Sequence, residues 1–391
     1  MKDETRLVVA GRSPETNFGI VNVPVYHAST ILYSSLAELE QRHKERADGK
    51  QVVSYGRIGT PTTWSLENAV AELEGGYRCQ VFPSGLAACA GALQAFLKTG
   101  DHLLVTDSVY GPTRAFCDNV LKRFGVETTY YDPTIGAGIS ELIRPNTAVV
   151  LTESPGSQTF EVQDIPAIAE VAHKGGVIVM MDNTWASPLF YKPFTHGVDV
   201  SIQAGTKYIV GHSDVMMGTV TTTEEHWQTL QSGANMTGQT AGPDDVYLAQ
   251  RGLRTLSVRL KQHMENGLLV ADWLKSRPEV HSVLHPALPD HPGHDLWKRD
   301  FLGASGLFSF RLNAVSKAAV AEFMDHLELF GMGYSWGGYE SLVIYADPSS
   351  YRTATKWDNT NPLIRLHIGL ESTDDLIEDL SAGFNRLNLA K

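Results

Sequence analysis

Cysteine is scarce in this sequence, whose only three copies are Cys79, Cys89 and Cys117. Three thiols cannot all pair with one another, and none stands in the Cys-x-x-Cys spacing that many metal and redox sites use. Four histidines, at 281, 285, 291 and 294, fall in and around a proline-containing loop that has no rigid element to arrange metal ligands. We therefore expect structural thiols, a reducing cytoplasmic compartment and no metal ion.

Long apolar runs and clusters of basic residues are also missing. No stretch approaches the ~18 consecutive apolar residues of a membrane helix, and residues 1–17 hold no apolar segment of signal-peptide length. Lys and Arg together number 32 against 44 Asp and Glu, which gives a net charge of −12, and no basic run exceeds a pair such as Lys122-Arg123. Because nucleic-acid binding depends on clustered Lys and Arg, we expect neither a nucleic-acid partner nor membrane association.

What the sequence does contain is a regular alternation of helix and strand patterns. The 391 residues are more than one hydrophobic core usually serves, so two domains are expected. A helix at 64–73 precedes a strand at 80–82 and a helix at 85–97, and four further strands are predicted at 102–106, 148–152, 177–181 and 200–203. Runs such as VIVMM are apolar throughout, as in strands buried on both faces. The alternation predicts an α/β fold whose large domain has a mostly parallel sheet flanked by helices.

The pattern changes after a long helical stretch at 246–276. Beyond it we predict strands at 280–284, 307–312, 342–345 and 364–368, and helices at 317–329 and 373–387. This arrangement is typical of a smaller α+β domain. The first sixty residues are irregular apart from a polar helix near 35–48, and they indicate an arm that packs on another surface. The predicted divisions are therefore an arm at 1–62, a large domain at 63–250 and a C-terminal domain at 251–391.

A turn of small residues opens the predicted helix at 85–97. The segment Phe82-Pro83-Ser84-Gly85-Leu86 follows a strand, so its backbone N–H groups and the positive end of the helix dipole could bind a phosphate. A Ser-Gly pair before a helix is also an ordinary N-cap, and taken alone this second interpretation is favoured.

Asp182 and Lys207 each follow an apolar strand, so both are expected at strand carboxyl ends, where parallel sheets bind ligands. A carboxylate there could hold a protonated ring nitrogen or cap the next turn. A buried lysine is costly unless it is neutralised, as imine formation with an aldehyde cofactor would do, whereas an ordinary lysine extends to solvent. The hydroxyl of Thr206 could bind a phosphate.

Arg365 lies in the predicted strand at 364–368, after a segment that reads YSWGGYES from Tyr334. A buried strand arginine needs an anion, and the carboxylate of a substrate fits its fork of donors. An internal salt bridge is the alternative, and it is favoured when the residue is taken alone.

Taken together and in this order, these segments resemble the Cys/Met-metabolism, or gamma-family, pyridoxal-phosphate enzymes, and within that family the cystathionine beta-lyase branch. The resemblance runs from about residue 23 to 389, and its most specific stretches are SYGRIGTPTTWSLENAVAELEGG, ESPGS, MDNTWASP, TKYIVGHSD, RGLRTLSVRLKQH, YSWGGYESL and RLHIGLE. It implies an aspartate-aminotransferase-like fold (fold type I), a pyridoxal 5'-phosphate cofactor, a small amino-acid substrate and a homo-oligomer, expected to be a tetramer and at least a dimer with shared active sites.

The resemblance also implies roles for the residues around the cofactor. Lys207 would hold the cofactor covalently and then serve as the acid–base group. Asp182 would pair with the ring nitrogen, and Tyr110 would stack on the ring and act with Lys207 in catalysis. The phosphate would be bound by Gly85, Leu86 and Thr206.

Other residues are implied to bind the substrate or to act across a subunit boundary. Arg365 and Ser335 would hold the substrate carboxylate, and Trp336 would line the substrate pocket. Tyr55 and Arg57 would reach the cofactor phosphate of a neighbouring subunit, with Tyr55 also contacting the substrate.

Three positions depart from related sequences. Asn235 lies in a substrate-pocket segment where beta-lyases often have tyrosine, and we count it among the substrate-binding residues. Ala204 replaces a small hydroxyl residue that is common two positions before Thr206, although many beta-lyases also have alanine there. Pro112 stands where gamma-lyases commonly carry a reactive cysteine, which argues against that branch.

The expected function is therefore that of a carbon–sulfur beta-lyase. Its first expected substrate is L-cystathionine, cleaved to homocysteine, pyruvate and ammonia in methionine biosynthesis. The alternatives are a broader cysteine-S-conjugate beta-lyase or a cysteine desulfhydrase. Gamma-synthase or gamma-lyase chemistry, and a cofactor-binding regulator, rank below these.

Overall fold

The computed structural model describes residues 1–390, and its larger sheet has seven strands. In chain order these are β1 (Arg78–Phe82), β2 (His102–Thr106), β3 (Glu127–Tyr131), β4 (Thr147–Glu153), β5 (Ile178–Asp182), β6 (Val200–Gln203) and β7 (Gly218–Thr222). Their order across the sheet is β1-β7-β6-β5-β4-β2-β3, and the five strands from β6 to β3 run parallel. The predicted α/β fold with a mostly parallel sheet is confirmed.

Alternate residues of these strands enter two different cores. On β2, Leu103 and Val105 pack into the core beneath the helices on one face of the sheet, whereas Leu104 packs into the core on the opposite face. All three side chains are fully buried. Because both faces are covered, the strands read as continuous apolar runs, and this is why strands 102–106 and 200–203 could be predicted to the residue.

The sequence prediction missed β3 and β7. Strand β7 reads GTVTT and runs antiparallel to both β1 and β6. It is rich in threonine and glycine, so it lacks the apolar run that marks the other central strands. It is nevertheless fully buried, because β1 and β6 pair with its two edges and helices pack against its faces.

The helices of the N-terminal half surround this sheet. They are α1 (Asp3–Val9), α2 (Leu36–Ala47), α3 (Pro61–Glu74), α4 (Gly85–Phe96), α5 (Gly111–Phe116), α6 (Ile165–Lys174), α7 (Ser187–Phe190) and α8 (Glu224–Met236). The arm was predicted to have only the helix near 35–48, so α1 is a correction. Leu7 of α1 is buried in the core that α3 lines, and Arg254 donates to the carbonyl oxygens of Leu7 and Ala10 at 2.7 and 2.9 Å.

The single helix predicted at 246–276 is wrong in one respect, because the chain breaks it into α9 (Pro243–Leu253) and α10 (Leu256–Lys275). Two tight backbone bonds mark the break, from Arg254 N to Arg251 O and from Thr255 N to Gly252 O. Gly252 permits the close approach of α9 to residues 209 and 210: a Cβ there would lie 2.2 Å from the carbonyl oxygen of Val210. Packing of the helix against the 207–211 turn therefore overrides the helical pattern.

The second sheet has five strands in the order β10-β11-β12-β9-β8. They are β8 (Val280–Leu284), β9 (Leu307–Leu312), β10 (Gly331–Met332), β11 (Leu342–Ala346) and β12 (Leu363–His367), with helices α11 (His294–Asp300), α12 (Lys317–Met324) and α13 (Thr373–Leu389). The smaller α+β unit is thus confirmed, whereas the exact division near residue 250 stays a prediction. Within residues 1–390, no helix has the length and apolar character that a membrane crossing requires.

Candidate active site

A cavity of about 450 Å³ lies where β4, β5 and β6 end, facing a turn of the smaller sheet. Parallel sheets bind their ligands at this edge. Nine of the twelve residues that we expected at the site line this one cavity: Gly85, Leu86, Tyr110, Asp182, Thr206, Lys207, Ser335, Trp336 and Arg365.

Lys207 lies in the turn that follows β6, and its amine points to the smaller domain. Its Nζ donates to Ser335 Oγ at 2.6 Å and lies 5.4 Å from the ring centre of Trp336. Burial, with the charge of Arg365 acting in the same direction and that of Asp182 in the opposite one, lowers the pKa of Lys207 to about 8. The amine is therefore neutral for a much larger fraction of the time than an ordinary lysine at neutral pH, as a nucleophile or base must be.

Asp182 is the last residue of β5 and is held by Thr184. Its Oδ1 accepts from Thr184 N at 3.0 Å and from Thr184 Oγ1 at 2.5 Å, and its Oδ2 accepts weakly from Cys89 Sγ at 3.8 Å. Burial raises the pKa of this carboxyl, and the bonds from Thr184 lower it. Among residues 1–390, Asp182 forms no ion pair within 4.0 Å. A protonated pyridine nitrogen in the cavity would supply the missing cation, so the residue fits a pyridoxal cofactor.

The helix α4 begins at the wall of the same cavity, at Gly85. Ser84 caps it by accepting from Ala87 N at 3.1 Å. The backbone of Gly85 approaches Ala204 so closely that a Cβ at Gly85 would lie 2.5 Å from the Ala204 Cβ. The first turn of a helix presents N–H groups without intrahelical acceptors, which suits a phosphate. Both interpretations of this segment hold at once, because it is an N-cap that also lines the cavity.

Thr206 also lines the cavity, but its hydroxyl already has partners. Its Oγ1 donates to Met217 O at 3.1 Å and accepts from Met217 N at 2.9 Å. The hydroxyl would have to exchange one of these bonds to donate to a phosphate. Its role as a phosphate ligand stays a prediction.

Arg365 on β12 approaches the cavity from the other sheet. It is 8% exposed, and it forms no ion pair within 4.0 Å among the residues that the structure describes. Its Nη2 donates to the backbone oxygen of Ser335 at 3.2 Å, and burial lowers its pKa to about 10. The internal salt bridge that was the alternative is thus absent from residues 1–390. A buried guanidinium without an acidic partner suits the carboxylate of a substrate.

The turn that carries Ser335 and Trp336 spells Gly-x-Ser-x-Gly from Gly333 to Gly337. In α/β-hydrolases that sequence places a nucleophilic serine between a strand and a helix. Here the turn connects β10 to β11, no helix follows, and the Ser335 hydroxyl accepts from Lys207. The sequence match therefore carries no hydrolase chemistry.

Tyr110 is 42% exposed at the start of α5 and is positioned by a residue that the sequence analysis did not single out. Glu153, at the end of β4, accepts from Tyr110 N at 2.7 Å and is the register partner of Asp182 on β5. Burial raises the pKa of Glu153 well above its usual range, and the charge of Asp182 raises it further. Glu153 stands at the end of an apolar strand. The same sequence pattern identified Asp182 and could have identified Glu153.

Tyr55, Arg57 and Asn235 lie outside this cavity. Arg57 Nη1 donates to the backbone oxygen of Asn235 at 2.9 Å, and Tyr55 is 46% exposed. Asn235 lines a separate open cavity of about 850 Å³ between α2 and α8. Within one chain, these three residues therefore do not join the other nine. Their roles stay predictions.

Residues 1–390 contain no group of three or more His, Cys, Asp or Glu side chains placed to hold a metal ion. Of the four histidines near residue 290, His285 and His291 are buried and accept backbone N–H bonds within their own turns, from Ala287 at 3.2 Å and Gly293 at 3.0 Å.

Comparison with known proteins agrees with the geometry. The family described as "Cys/Met metabolism PLP-dependent enzyme" matches residues 4–385. The chain is 47% identical over 390 residues to cystathionine beta-lyase of Salmonella typhimurium (98% of each chain), and 47% identical over 392 residues to cystathionine beta-lyase MetC of Escherichia coli (99% of each). The solved structure of cystathionine gamma synthase from Xanthomonas oryzae pv. oryzae, in complex with aminoacrylate and cysteine, matches all of both chains with a TM-score of 0.90 at 34% identity.

Proposed function

This chain belongs to the Cys/Met-metabolism family of pyridoxal-phosphate-dependent enzymes, and we propose that it is a carbon–sulfur beta-lyase that cleaves L-cystathionine to homocysteine, pyruvate and ammonia. One observation carries the proposal. The amine of Lys207 lies in a cavity between a buried carboxylate, Asp182, and a buried guanidinium, Arg365, neither of which has an ion-pair partner in residues 1–390. The names of the beta-lyase relatives support the choice of substrate.

The residues that line the cavity fit the cofactor from end to end. Lys207 would bind its aldehyde carbon, Asp182 its ring nitrogen and Tyr110 the face of its ring. The phosphate would be bound by the start of α4 at Gly85 and Leu86. When bound, pyridoxal phosphate supplies an electron sink that makes the alpha proton of an amino acid removable.

The substrate would enter with its carboxylate on Arg365. The fork of the guanidinium fixes the plane of the carboxylate, and Ser335 beside it adds a hydroxyl. Since the Ser335 hydroxyl lies 2.6 Å from Lys207 Nζ, the alpha carbon is brought next to the amine. Such positioning replaces a chance encounter by a fixed geometry.

Lys207 would then carry protons in both directions. Once the amino group of the substrate has taken its place on the cofactor, the freed neutral amine of Lys207 would take the alpha proton. The bond between the beta carbon and sulfur would then break, and the resulting ammonium would protonate the departing sulfur. Homocysteine leaves as a thiol. The three-carbon remainder takes up one water molecule and releases ammonia, which leaves pyruvate. The overall reaction consumes one cystathionine and one water.

We further propose that the enzyme is a homotetramer, or at least a dimer, in which Tyr55 and Arg57 complete the site of a neighbouring subunit. Both residues lie away from the cavity of their own chain, at the surface. We also propose a cytoplasmic location and a role in methionine biosynthesis. The three cysteines are buried and free, as is usual in a reducing compartment.

The second candidate is a broader cysteine-S-conjugate beta-lyase or cysteine desulfhydrase on the same machinery. The observation that favours it is Asn235, a small amide in a segment where beta-lyases often have tyrosine. Because Asn235 lies outside the cavity of its own chain and beside Arg57, it would act on the site of the neighbouring subunit. A smaller side chain changes the volume and the hydrogen bonding of a substrate pocket.

One assay distinguishes these functions. The purified enzyme is incubated separately with cystathionine, cystine, cysteine and methionine, the keto acid is identified by chromatography, and Lys207→Ala serves as the blank. We expect pyruvate, with the highest kcat/KM for cystathionine. Predominant 2-oxobutyrate from cystathionine would refute beta-elimination. A clearly higher kcat/KM for cystine would keep the mechanism and overturn the substrate.

A further inference from the structure

The turn that presents Ser335 and Trp336 to the substrate has an unusual backbone. Ser335 has φ 77° and Gly337 has φ 88°, so two of three consecutive residues are left-handed, which is strained for serine. A Cβ on Gly337 would lie 2.9 Å from the Cα and the carbonyl carbon of Lys207. The turn therefore rests directly on the backbone of Lys207, and such a conformation persists only where neighbouring groups hold it.

Strand β12 supplies those groups from one of its faces. Arg365 donates to the backbone oxygen of Ser335, and His367, two residues further on the same face, contacts the other end of the turn. His367 Nε2 accepts from Gly337 N at 3.1 Å and lies 3.1 Å from Gly338 O. Strand β12 thus touches the turn at both ends, once through the substrate-binding arginine and once through a histidine.

The histidine can accept that bond only when it is neutral. Its side chain is fully buried, and burial lowers its pKa to about 3, with nearby His263, Arg365 and Lys207 acting in the same direction. With the ring proton on Nδ1, Nε2 accepts from Gly337 N–H, and with the proton on Nε2 it donates to Gly338 O, so either neutral tautomer bonds Nε2 to the turn. An imidazolium would lose the bond from Gly337 N–H.

Aromatic packing connects the same histidine to the substrate pocket. The ring of Tyr208 lies 5.4 Å from Trp336 and 6.0 Å from His367, measured between ring centres, and His263 packs 5.2 Å from His367. The indole of Trp336 therefore rests on a ring whose other neighbours are two buried neutral histidines.

We propose that His367 is a positioning residue for the substrate-binding turn: its neutral imidazole fixes Gly337, and through it the Ser335 hydroxyl and the Trp336 indole relative to Lys207. The expected effect of His367 on catalysis rests on the proposed beta-lyase function. Its effect on the position of the turn does not depend on that function.

The test compares His367→Leu with His367→Gln. Leucine leaves Gly337 N–H buried without an acceptor, whereas the Gln Oε1 can occupy nearly the position of Nε2. We expect His367→Leu to lower kcat/KM for cystathionine roughly ten- to hundredfold, mainly through a higher KM, because a displacement of about 1 Å can cost that much. His367→Gln should recover to within about threefold of the wild type, since it restores the acceptor.

His285 provides the matched control. It is also buried and neutral and accepts a backbone N–H, from Ala287 at 3.2 Å, but it lies outside the active-site cavity. His285→Leu also leaves a backbone N–H without its acceptor. It should therefore lower thermal stability and leave kcat and KM near the wild-type values. An equal loss of kcat/KM in His285→Leu would mean that His367 acts only through general stability.

A second readout needs neither cofactor nor substrate. The emission of Trp336 in the apoenzyme is obtained by subtracting the spectrum of each matched Trp336→Phe chain. We expect the wavelength of the Trp336 emission to shift in His367→Leu and to return to the wild-type value in His367→Gln. This readout still applies if wild-type enzyme yields no pyruvate from cystathionine, in which case only the proposed function fails.

The proposal is overturned if folded His367→Leu keeps both its kcat/KM and its Trp336 emission. Should His367→Leu not fold, His367→Asn takes its place with the same expectations, because its shorter amide does not reach Gly337 N.

Discussion

Arg57 donates a hydrogen bond from Nη1 to the backbone oxygen of Asn235 at 2.9 Å, across 178 positions of sequence and outside the cavity that holds Lys207 of the same chain. The contact joins the segment after the arm helix α2 to the end of α8. If Arg57 reaches the cofactor phosphate of a neighbouring subunit, Asn235 also lies near the active site of that subunit, because the two residues are hydrogen-bonded. The residue that we expected to tune substrate preference would then act on the site of the partner.

The shared site predicts complementation between two inactive chains. Arg57→Ala and Lys207→Ala should each be nearly inactive, and mixed oligomers of the two should recover activity. In a hybrid dimer, one of the two sites has both residues intact, so random mixing gives roughly a quarter of the wild-type sites. The measurement is pyruvate release from oligomers whose mixing is verified by two affinity tags.

A second mixture controls for this result. Asp182→Ala and Lys207→Ala alter the same cavity of one chain, so each site of their hybrid stays defective and no activity should return. Absence of recovery in verified Arg57→Ala and Lys207→Ala hybrids would contradict sharing of the site.

Lys207 is predicted to hold the cofactor. Borohydride reduction followed by peptide mapping should label Lys207 and leave Lys192 unlabelled, since Lys192 is already bound to Asp3 at 2.7 Å and to the Leu73 carbonyl oxygen at 2.6 Å. Lys207→Ala should fold and lose roughly three or more orders of magnitude in kcat, as expected for loss of the essential proton carrier. A label at another lysine would contradict the assignment.

The lowered pKa of Lys207 predicts how fast the apoenzyme takes up pyridoxal phosphate. Only the neutral amine attacks an aldehyde, so the rate should rise with pH through a midpoint near 8, where an ordinary lysine would give a midpoint near 10.5. Arg365→Leu should move the midpoint upward, because the guanidinium disfavours the ammonium form. Absorbance at a fixed cofactor concentration follows the reaction, and a midpoint that stays near 10 would contradict the prediction.

Much of the fold could be predicted because the central strands are apolar on both faces. Strands 102–106 and 200–203 of the larger sheet were placed to the residue for this reason. In the smaller sheet, 280–284 and 307–312 were also placed to the residue, although 280–284 is a partly exposed edge strand. The exceptions share a physical cause, since β7 and α1 owe their conformation to partners elsewhere in the sequence. Strand β7 is threonine-rich and is formed by pairing with β1 and β6, and α1 is anchored by Arg254. No local pattern records a partner that far away.

The candidate site was predictable to a similar extent. Strand ends placed Asp182 and Lys207 correctly in one cavity, because parallel strands end at one edge of their sheet. The same reasoning applied to Glu153 but was not used there. His367 could not have been found, since its role depends on which turn β12 happens to face. Asn235 was expected beside the other substrate residues, and only the folded chain places it next to Arg57.

Glu67 offers a prediction about stability, away from the active site. It lies on α3, is 6% exposed, and its Oε1 accepts from Val81 N at 3.0 Å. Burial raises its pKa from 4.5 to about 8. Between these two values the folded chain keeps a proton that the unfolded chain has lost. Raising the pH through this window therefore destabilises the fold, by at most about 1.4 kcal/mol per pH unit.

Glu67→Gln should remove that dependence, because the amide oxygen still accepts from Val81 but does not titrate. Thermal unfolding at pH 5, 7 and 9 should show the variant close to the wild type at pH 5 and increasingly more stable at pH 7 and 9, on the order of 1 kcal/mol or more at pH 9. Glu72→Gln is the control for the Glu-to-Gln exchange itself, because Glu72 lies on the same helix with a half-exposed side chain. A difference for Glu67→Gln that is equal at all three pH values would mean that the buried carboxyl is already ionised at pH 5.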